Sequence, residues 1–397
     1  MSREGWKETT LGEVVLINPK VPNLQEDSPF IEMADVDTWG RWAFPSGPKG
    51  RRGGIRATGG DTLMARITPC LENGKIAQIP DEFGDVGGST EFIVLRSTDE
   101  TIPEFVFLLA QSHRVHSESI GLMVGTSGRQ RVSAKDVASI QVFLPPIEEQ
   151  REIVSFMQVL DHMIQAGDRE ISSAEQMRVD VLKTVLTDRA NEWDYTPLRE
   201  VATWRSGATP KAGNPEFYHG GTIKWAKIGD VQNAPIYDTE KKITEAGFEK
   251  IKKIAPVGST LIAMYGASIG RSAFVMSEMA TNQAILCGIP DEEVIVPEFL
   301  FLSALNLEDE FHRQGRGAAQ PNINKTIIGD QEIPLPPLEE QEKIVEKMQA
   351  LDAYLESAKR SQEALKQVRK DALHALLSGD KDVRELAEMF AIDEDVA

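Results

Sequence analysis

Two long stretches of the chain repeat mainly apolar or small residues at alternating spacings of four and three. The first runs through Ile153, Met157, Leu160, Ile164, Gly167, Ile171, Ala174, Arg178, Val181 and Val185. The second runs through Ile344, Met348, Leu351, Leu355, Ala358, Gln362, Leu365, Arg369, Ala372 and Leu376. Alternating four-three spacing is the heptad seam of a coiled coil. Each stretch predicts an uninterrupted helix of about 40 residues, about 60 Å long at 1.5 Å per residue. Pro-Pro opens both, where a missing N–H costs nothing. Glu148, Glu149, Glu339 and Glu340 follow, on the side that the helix dipole favours for negative charge. Gly379 is a plausible stop for the second helix. The seam predicts that the two helices pair with each other, antiparallel, rather than fold back onto separate globules. Gly167, Ala358 and Gln362 are small or polar positions that set its register.

The openings of these helices are copies. LPPIEEQREIVSFMQVLD (Leu144 to Asp161) and LPPLEEQEKIVEKMQALD (Leu335 to Asp352) share 12 of 18 residues at an offset of 191. The regions before them also answer one another. Leu11 to Val15 (LGEVV) matches Leu198 to Ala202 (LREVA), and Gly60 to Ala77 matches Gly258 to Phe274. Ile102 to Gln111 (IPEFVFLLAQ) matches Val296 to Leu305 (VPEFLFLSAL). A repeat near half the chain length is a domain duplication, not a short-period solenoid.

The expected order is therefore a globule over residues 1–143, a central helix over 144–190, a second globule over 191–334, a distal helix over 335–379 and an acidic tail over 380–397. Each globule mixes short β-like runs with Gly and Pro breaks. Strands are expected at Leu63 to Ile67, Thr90 to Leu95, Ile223 to Ile228, Thr260 to Met264 and Ala284 to Ile289. Helices are expected at Pro103 to Ser117 and Pro297 to Leu307. The fold class is α+β, with two similar mixed α/β globules joined and separated by two long helices in an antiparallel coiled coil.

Composition changes this picture little. The chain has 397 residues, 41% hydrophobic and 26% charged, which is ordinary for a globular protein. It carries no apolar run long enough for a membrane span, and its N-terminus has no signal-like apolar core. Two cysteines, Cys70 and Cys287, are too few for a disulfide framework, which suits a reducing cytoplasm. Of the six histidines only His113 and His116 are close, and they read as one face of a surface helix rather than a metal site. Net charge is -19, which weighs against a polyanionic partner. The charge is segregated, however. Residues 41–75 hold seven basic side chains against two acidic, a local +5. Screening over roughly 10 Å lets such a face bind phosphates while the rest of the chain repels them.

Catalytic patterns are missing. There is no phosphate-binding Gly-Lys loop, dinucleotide fingerprint, zinc-protease pair or nucleophile elbow. Glu240-Lys241-Lys242 is the one fragment that resembles half of a metal-dependent nuclease site, and its neighbours Asp230 and Asp238 do not complete it. The expectation is a chain with no catalytic and no metal-binding residues.

Candidate nucleic-acid contacts come as sets. In the first globule, Arg41, Lys49, Arg51, Arg52 and Arg56 stand among glycines and beside Trp42, and Arg66 and Lys75 follow. Arginine can donate a fork to phosphate or to guanine. The stretch Gly125 to Ser133 supplies Arg129, Gln130 and Arg131, and its counterpart Gly315 to Asn324 supplies Gln320, Asn322 and Asn324. The second globule adds Lys211, Lys224, Trp225, Lys227, Lys241, Lys242 and Arg271. Positions shared by the halves serve fold or phosphate grip. Positions that differ carry different sequence preferences.

The duplicated LPP-x-EEQ-x-x-IV opening, the long helix after each copy, the segment Gly266 to Gly270 and the AAQPNIN loop resemble the specificity subunit of type I restriction-modification systems. That resemblance covers nearly the whole chain. It implies that the globules are target recognition domains reading the two parts of a bipartite, asymmetric site in double-stranded DNA. It implies that the helices are spacers docking two modification (methyltransferase) subunits, which methylate adenine at N6, and through them restriction subunits. S-adenosylmethionine, ATP and Mg would then sit on those partners, and no membrane is involved. In the first half, GTSGRQRVS departs from the AAQPNIN pattern. Two other readings stand beside this one: a non-catalytic coiled-coil adaptor bridging protein partners, and a lone nuclease using Glu240 and Lys242.

Overall fold

The computed structural model describes residues 5–21, 24–25, 27–47, 53–126, 128–187, 193–315 and 322–390. The chain divides into two units, one of residues 1–168 with 360–397 and the other of residues 169–359. Each unit holds one head and one part of each long helix.

In the first unit, the main sheet has strands β1 (Val15–Ile17), β2 (Thr62–Ala65), β3 (Ile76–Gln78) and β4 (Phe92–Ser97), in the order β1-β4-β2-β3, all antiparallel. β2 is buried at all four positions, which explains why its sequence TLMA shows no charged or strongly polar alternation. Helix α1 (Pro103–Gln111) packs on this sheet and is buried all round, at every position from Phe105 to Gln111. It is shorter than the sequence suggests. Ser112 leaves helical geometry and accepts from the Val115 amide at 3.2 Å, which starts a separate helix, His113–Gly121. His116 on that helix is buried rather than surface, 2.7 Å from the Leu71 carbonyl. A two-stranded ribbon of Lys7–Thr10 and Gln141–Leu144 brings the start of the head to the doorstep of the first long helix.

In the second unit, β5 (Ala202–Ser206), β6 (Ala234–Ile236), β7 (Thr260–Ala263), β8 (Ser272–Val275) and β9 (Ile285–Pro290) form a sheet in the order β5-β9-β7-β8-β6. The first four strands repeat the first head's order, and β6 is an added edge, parallel to β8. The ribbon Tyr195–Pro197 with Glu332–Pro334 repeats the doorstep. A further small sheet centred on Ile223–Ala226 has its own apolar cluster of Trp225, Ile243 and Ala280.

The long helices α2 (Ile147–Thr187) and α4 (Leu338–Ser378) are each unbroken over 41 residues. They pair antiparallel. In the first unit, the early part of α2 meets the late part of α4, where the Arg369 guanidinium forks onto Asp161. In the second unit, the late part of α2 meets the early part of α4, where Arg178 forks onto Asp352. The seam widens where a helix also touches its head. Ile153, Met157 and Leu160 are buried together with their off-seam neighbours Val154 and Phe156, and Ala372 and Leu376 with Leu373 and Leu377. In the second unit Ile344, Met348 and Leu355 are buried, Leu351 is half-buried, and Leu182 and Leu186 are buried beside half-buried Val181 and Val185. Between these regions Ile164, Gly167, Ile171, Ala174, Ala358 and Leu365 are half-buried, as expected where only two helices meet.

Beyond Gly379, which takes the left-handed conformation (φ 76°) that favours glycine, the chain forms a further helix, Val383–Phe390. Asp382 and Glu385 cap its start reciprocally at 2.8 Å, and Leu386 and Ala387 join the first unit's core. The acidic segment is thus partly folded, and residues 391–397 lie outside the described residues.

Candidate nucleic-acid interface

In each head, the ends of the first two antiparallel strands and the start of the last one lie at one edge of the sheet. In the first head these are Ile17, Ala65 and Phe92, and in the second Ser206, Ala263 and Ile285. The loops that leave this edge carry several of the candidate residues, among them Arg66, Arg129, Arg131, Lys211 and Asn322. Backbone bonds fix their correspondence between the heads. Val132 N–H donates to the Arg66 carbonyl and Ile323 N–H to the Met264 carbonyl, both at 3.0 Å. Isolated bridges join Ile67 with Arg131 and Tyr265 with Asn322. Ser133 and Asn324 then cap the next short helices. Arg131 to Ser133, at the end of the first-half stretch, therefore occupy the place of Asn322 to Asn324 in the second head, with Arg131 where the second head has Asn322.

The furnishing of that place differs. Arg131 forks onto Glu91, with bonds of 2.9 and 2.7 Å. The guanidinium holds the Glu91 carboxyl below its ordinary value, and Glu91 holds the arginine above its own. Arg66, half-buried, adds a further positive charge beside Glu91. The hairpin Val124–Thr126 with Arg129–Arg131 projects from this edge, with Val124 72% exposed and Arg129 exposed with no ion pair among the described residues. Gln130 uses its carbonyl to accept from Thr68 N–H at 3.0 Å, leaving its side chain half-exposed. In the second head, Tyr265 (45% exposed) and Asn322 stand at the equivalent edge, and the loop after β5 adds exposed Lys211. Strand Ile223–Ala226 runs parallel to Met279–Thr281 and delivers Lys227 beside the loop at Asn282, whose amide bonds the Ala226 carbonyl at 2.9 Å.

Other candidates have different work. Trp225 is 5% exposed, donates from Nε1 to the Ala208 carbonyl at 3.1 Å and packs near Tyr218, so its ring belongs to the core of the small sheet. Asn324 is a helix cap, accepting from Thr326 and Ile327 amides at 2.9 and 3.0 Å. Lys75 is tied to the Met33 carbonyl at 2.8 Å, and Lys224 to the Tyr237 carbonyl at 2.6 Å and Ser277 at 2.8 Å. Arg271 bonds Gln232 at 2.8 Å. Arg41 lies over the Trp42 ring at 4.6 Å and faces the first long helix, where burial lowers its pKa against the pull of Asp161 and Glu104. Arg56 is exposed and reaches the Val21 carbonyl at 3.4 Å. Lys241 and Lys242 are exposed and pair with Glu240 and Asp238, both at 3.3 Å. Those surface pairs, with Asp238 lowered first by the Thr239 amide and then by Lys242, are an ordinary solvated edge rather than a nuclease centre. Lys49, Arg51, Arg52 and Gln320 lie outside the described residues. Among the described residues, no group of three or more His, Cys, Asp or Glu side chains is arranged to hold a metal ion, and no helix is long and apolar enough to cross a membrane.

Sequence reasoning missed Tyr265, whose signal is its place just before the Gly266–Gly270 segment, opposite Ile67 of the other half. It also left the glutamine of the duplicated EEQ without a role. Gln150 and Gln341 are fully buried and bonded to three backbone groups each.

The chain belongs to the type I restriction modification DNA specificity domain family, which matches residues 3–175 and again 190–367. Chains of this family are DNA-recognition subunits without a catalytic role of their own. The specificity subunit of the type I restriction enzyme EcoEI from Escherichia coli is 31% identical over 199 residues, covering 47% of this chain and only 34% of that subunit. The putative MjaX specificity subunit from Methanocaldococcus jannaschii is 22% identical over 348 residues, covering 81% of this chain and 78% of its own. A chain from a structural study of assembly and conformational transition of the type I R-M system superimposes with a TM-score of 0.72 at 21% identity, over 96% of this chain and all (100%) of that one. The HsdS subunit from Thermoanaerobacter tengcongensis gives a TM-score of 0.53 at 22% identity, over 96% of this chain and 98% of that one. At these identities the two structures speak for the fold.

Proposed function

We propose that this chain reads a bipartite, asymmetric site in double-stranded DNA, one head to each half-site, and presents that DNA to modification subunits docked on the helix pair. The observation that carries the reading is the pair of equivalent sheet edges with unlike side chains: Arg129, Arg131 and Glu91 in one head, Lys211, Tyr265 and Asn322 in the other. Equal scaffolds with unequal edges suit two different half-sites, because phosphate contacts position while base contacts specify. Two methyltransferase subunits would supply S-adenosylmethionine and methylate adenine at N6. Restriction subunits would bring ATP and magnesium. The chain's own part is to bind, orient and space.

The net charge of -19 makes local cations matter more. Exposed Arg129 and Lys211 release counterions from phosphates on binding, so affinity should fall steeply with salt. The test is equilibrium binding of the co-purified complex to duplex DNA across a salt series. A logarithmic slope of several units supports the reading. A stable complex with the partner subunits and no salt-dependent DNA binding would instead make the chain an adaptor between proteins.

A further inference from the structure

We propose that Gln150 and Gln341 are positioning residues that weld each head to its long helix and so hold the gap between half-sites to one length. The inference rests on the bipartite reading above. It concerns a joint that this reading does not itself require.

Both glutamines sit in the first turns of the long helices, and both are 0% exposed. The Gln150 Oε1 accepts from Ile102 N–H at 3.1 Å, and its Nε2 donates to the carbonyls of Glu100 at 2.8 Å and Pro145 at 3.0 Å. The Gln341 Oε1 accepts from Val296 N–H at 2.8 Å, and its Nε2 donates to the carbonyls of Val294 at 3.2 Å and Pro336 at 2.8 Å. Ile102 and Val296 are the N-cap residues of α1 and of α3 (Pro297–Asn306), and neither has a side chain able to cap its helix. One amide thus stitches together the head's covering helix, the loop before it and the Pro-Pro turn that begins the long helix.

The chemistry is specific to glutamine. Glutamate keeps the reach but has no N–H to donate. Asparagine is one methylene short. Leucine fills the space but removes the partner of three backbone groups. The joint is also built the same way twice, whereas the sheet edges of the two heads differ. A shared joint and divergent edges indicate that what the joint controls is common to both heads. That common property is head orientation. For a point about one domain radius away, about 15 Å, a tilt of about 12° is a shift of about 3 Å, close to the rise of one base pair. A slack joint would therefore let a head meet its half-site one base pair out of place.

The test is base-resolution methylation mapping in cells carrying the full complex with Gln150→Leu or Gln341→Leu. Gaps one base pair longer or shorter than the wild-type gap should gain methylation by at least about tenfold, the factor to which a single one of the three lost hydrogen bonds already corresponds. The half-site sequences should stay as they are. Gln150→Asn and Gln341→Asn, which keep a neutral amide one methylene short, should show the same leak to a smaller degree, and they decide the matter if the leucine variants fail to assemble. A variant complex that assembles and methylates only the wild-type gap, even at reduced total level, overturns the proposal, since loss of stability alone lowers all sites together. A wild-type complex that methylates no gapped site fails differently, by removing the bipartite reading itself.

Discussion

The two ends of the helix pair are built from equivalent residues, and they have diverged in an instructive way. The 191-residue offset maps the Asp161–Arg369 ion pair of the first unit onto the Asp352–Arg178 pair of the second, with the same forked arrangement. At the next rung the offset maps Asp168 onto Lys359 and Lys366 onto Glu175. Both units make an ion pair there, Asp168 with Lys366 at 3.3 Å and Glu175 with Lys359 at 2.7 Å, but the signs are exchanged between α2 and α4. If α2 met a second α2 in this register, Asp168 would face Glu175, and α4 against α4 would set Lys359 against Lys366. Flanking charges of this kind set partner choice in coiled coils. The duplication thus kept one rung for stability and changed another so that α2 recognises α4. The layer between also differs. Gln362 donates to the Ile164 carbonyl at 2.6 Å and to Asp168 at 2.8 Å, in space left free by Gly167. The equivalent positions in the second unit are Ile171 and Ala358, an apolar layer.

The comparison can be broken by length first. Removing one heptad from both helices, about 10 Å, should shorten the methylated gap by about three base pairs or abolish binding. An unchanged gap from an intact complex would show that the helices set no spacing. The layer comes next. A Cβ on Gly167 pushes the Gln362 amide out of its bonds to Ile164 and Asp168, a loss offset by alanine's better helix propensity, so Gly167→Ala should change stability by no more than about 1 kcal/mol. On a Gln362→Ala background the same substitution should stabilise by about 1 kcal/mol in urea unfolding, and simple additivity would mean that the two do not couple. At the sheet edges, Asn322→Ala should cost about 1–3 kcal/mol and relax sequence preference in one half-site only. Equal relaxation in both halves would contradict one head per half-site. Glu175→Lys combined with Lys366→Glu turns both rungs repulsive within the chain. It should weaken thermal stability by about 0.5–2 kcal/mol, less at high salt.

The smallest effect is one of pH. Burial lowers the His116 pKa from its ordinary 6.5, against the Leu71 carbonyl, with His113 and Lys370 lowering it further. The unfolded chain therefore binds the proton more readily than the native one. The first unit should lose stability as pH falls below about 6.5, and His116→Gln should flatten that slope in thermal melts.

The helices were legible because heptad spacing needs only apolar pattern, and the duplication because eighteen residues repeat at a constant offset. The individual contacts were less so. Residue type predicts that a lysine carries charge, not whether a carbonyl claims it, as Met33 claims Lys75 and Tyr237 claims Lys224. Trp225 and Asn324 have the right chemistry for nucleic acid, but the one fills a small core and the other caps a helix. The EEQ signature was visible while the work of its glutamine was not, because its three partners lie on backbone far along the chain or behind a turn.

Methylation mapping of a host carrying this chain with its modification subunits tests the account most directly. Modified adenines should fall at one two-part motif, unlike in its halves and separated by a single gap length. Methylation at a continuous motif, or at two-part motifs with freely varying gaps, would contradict it.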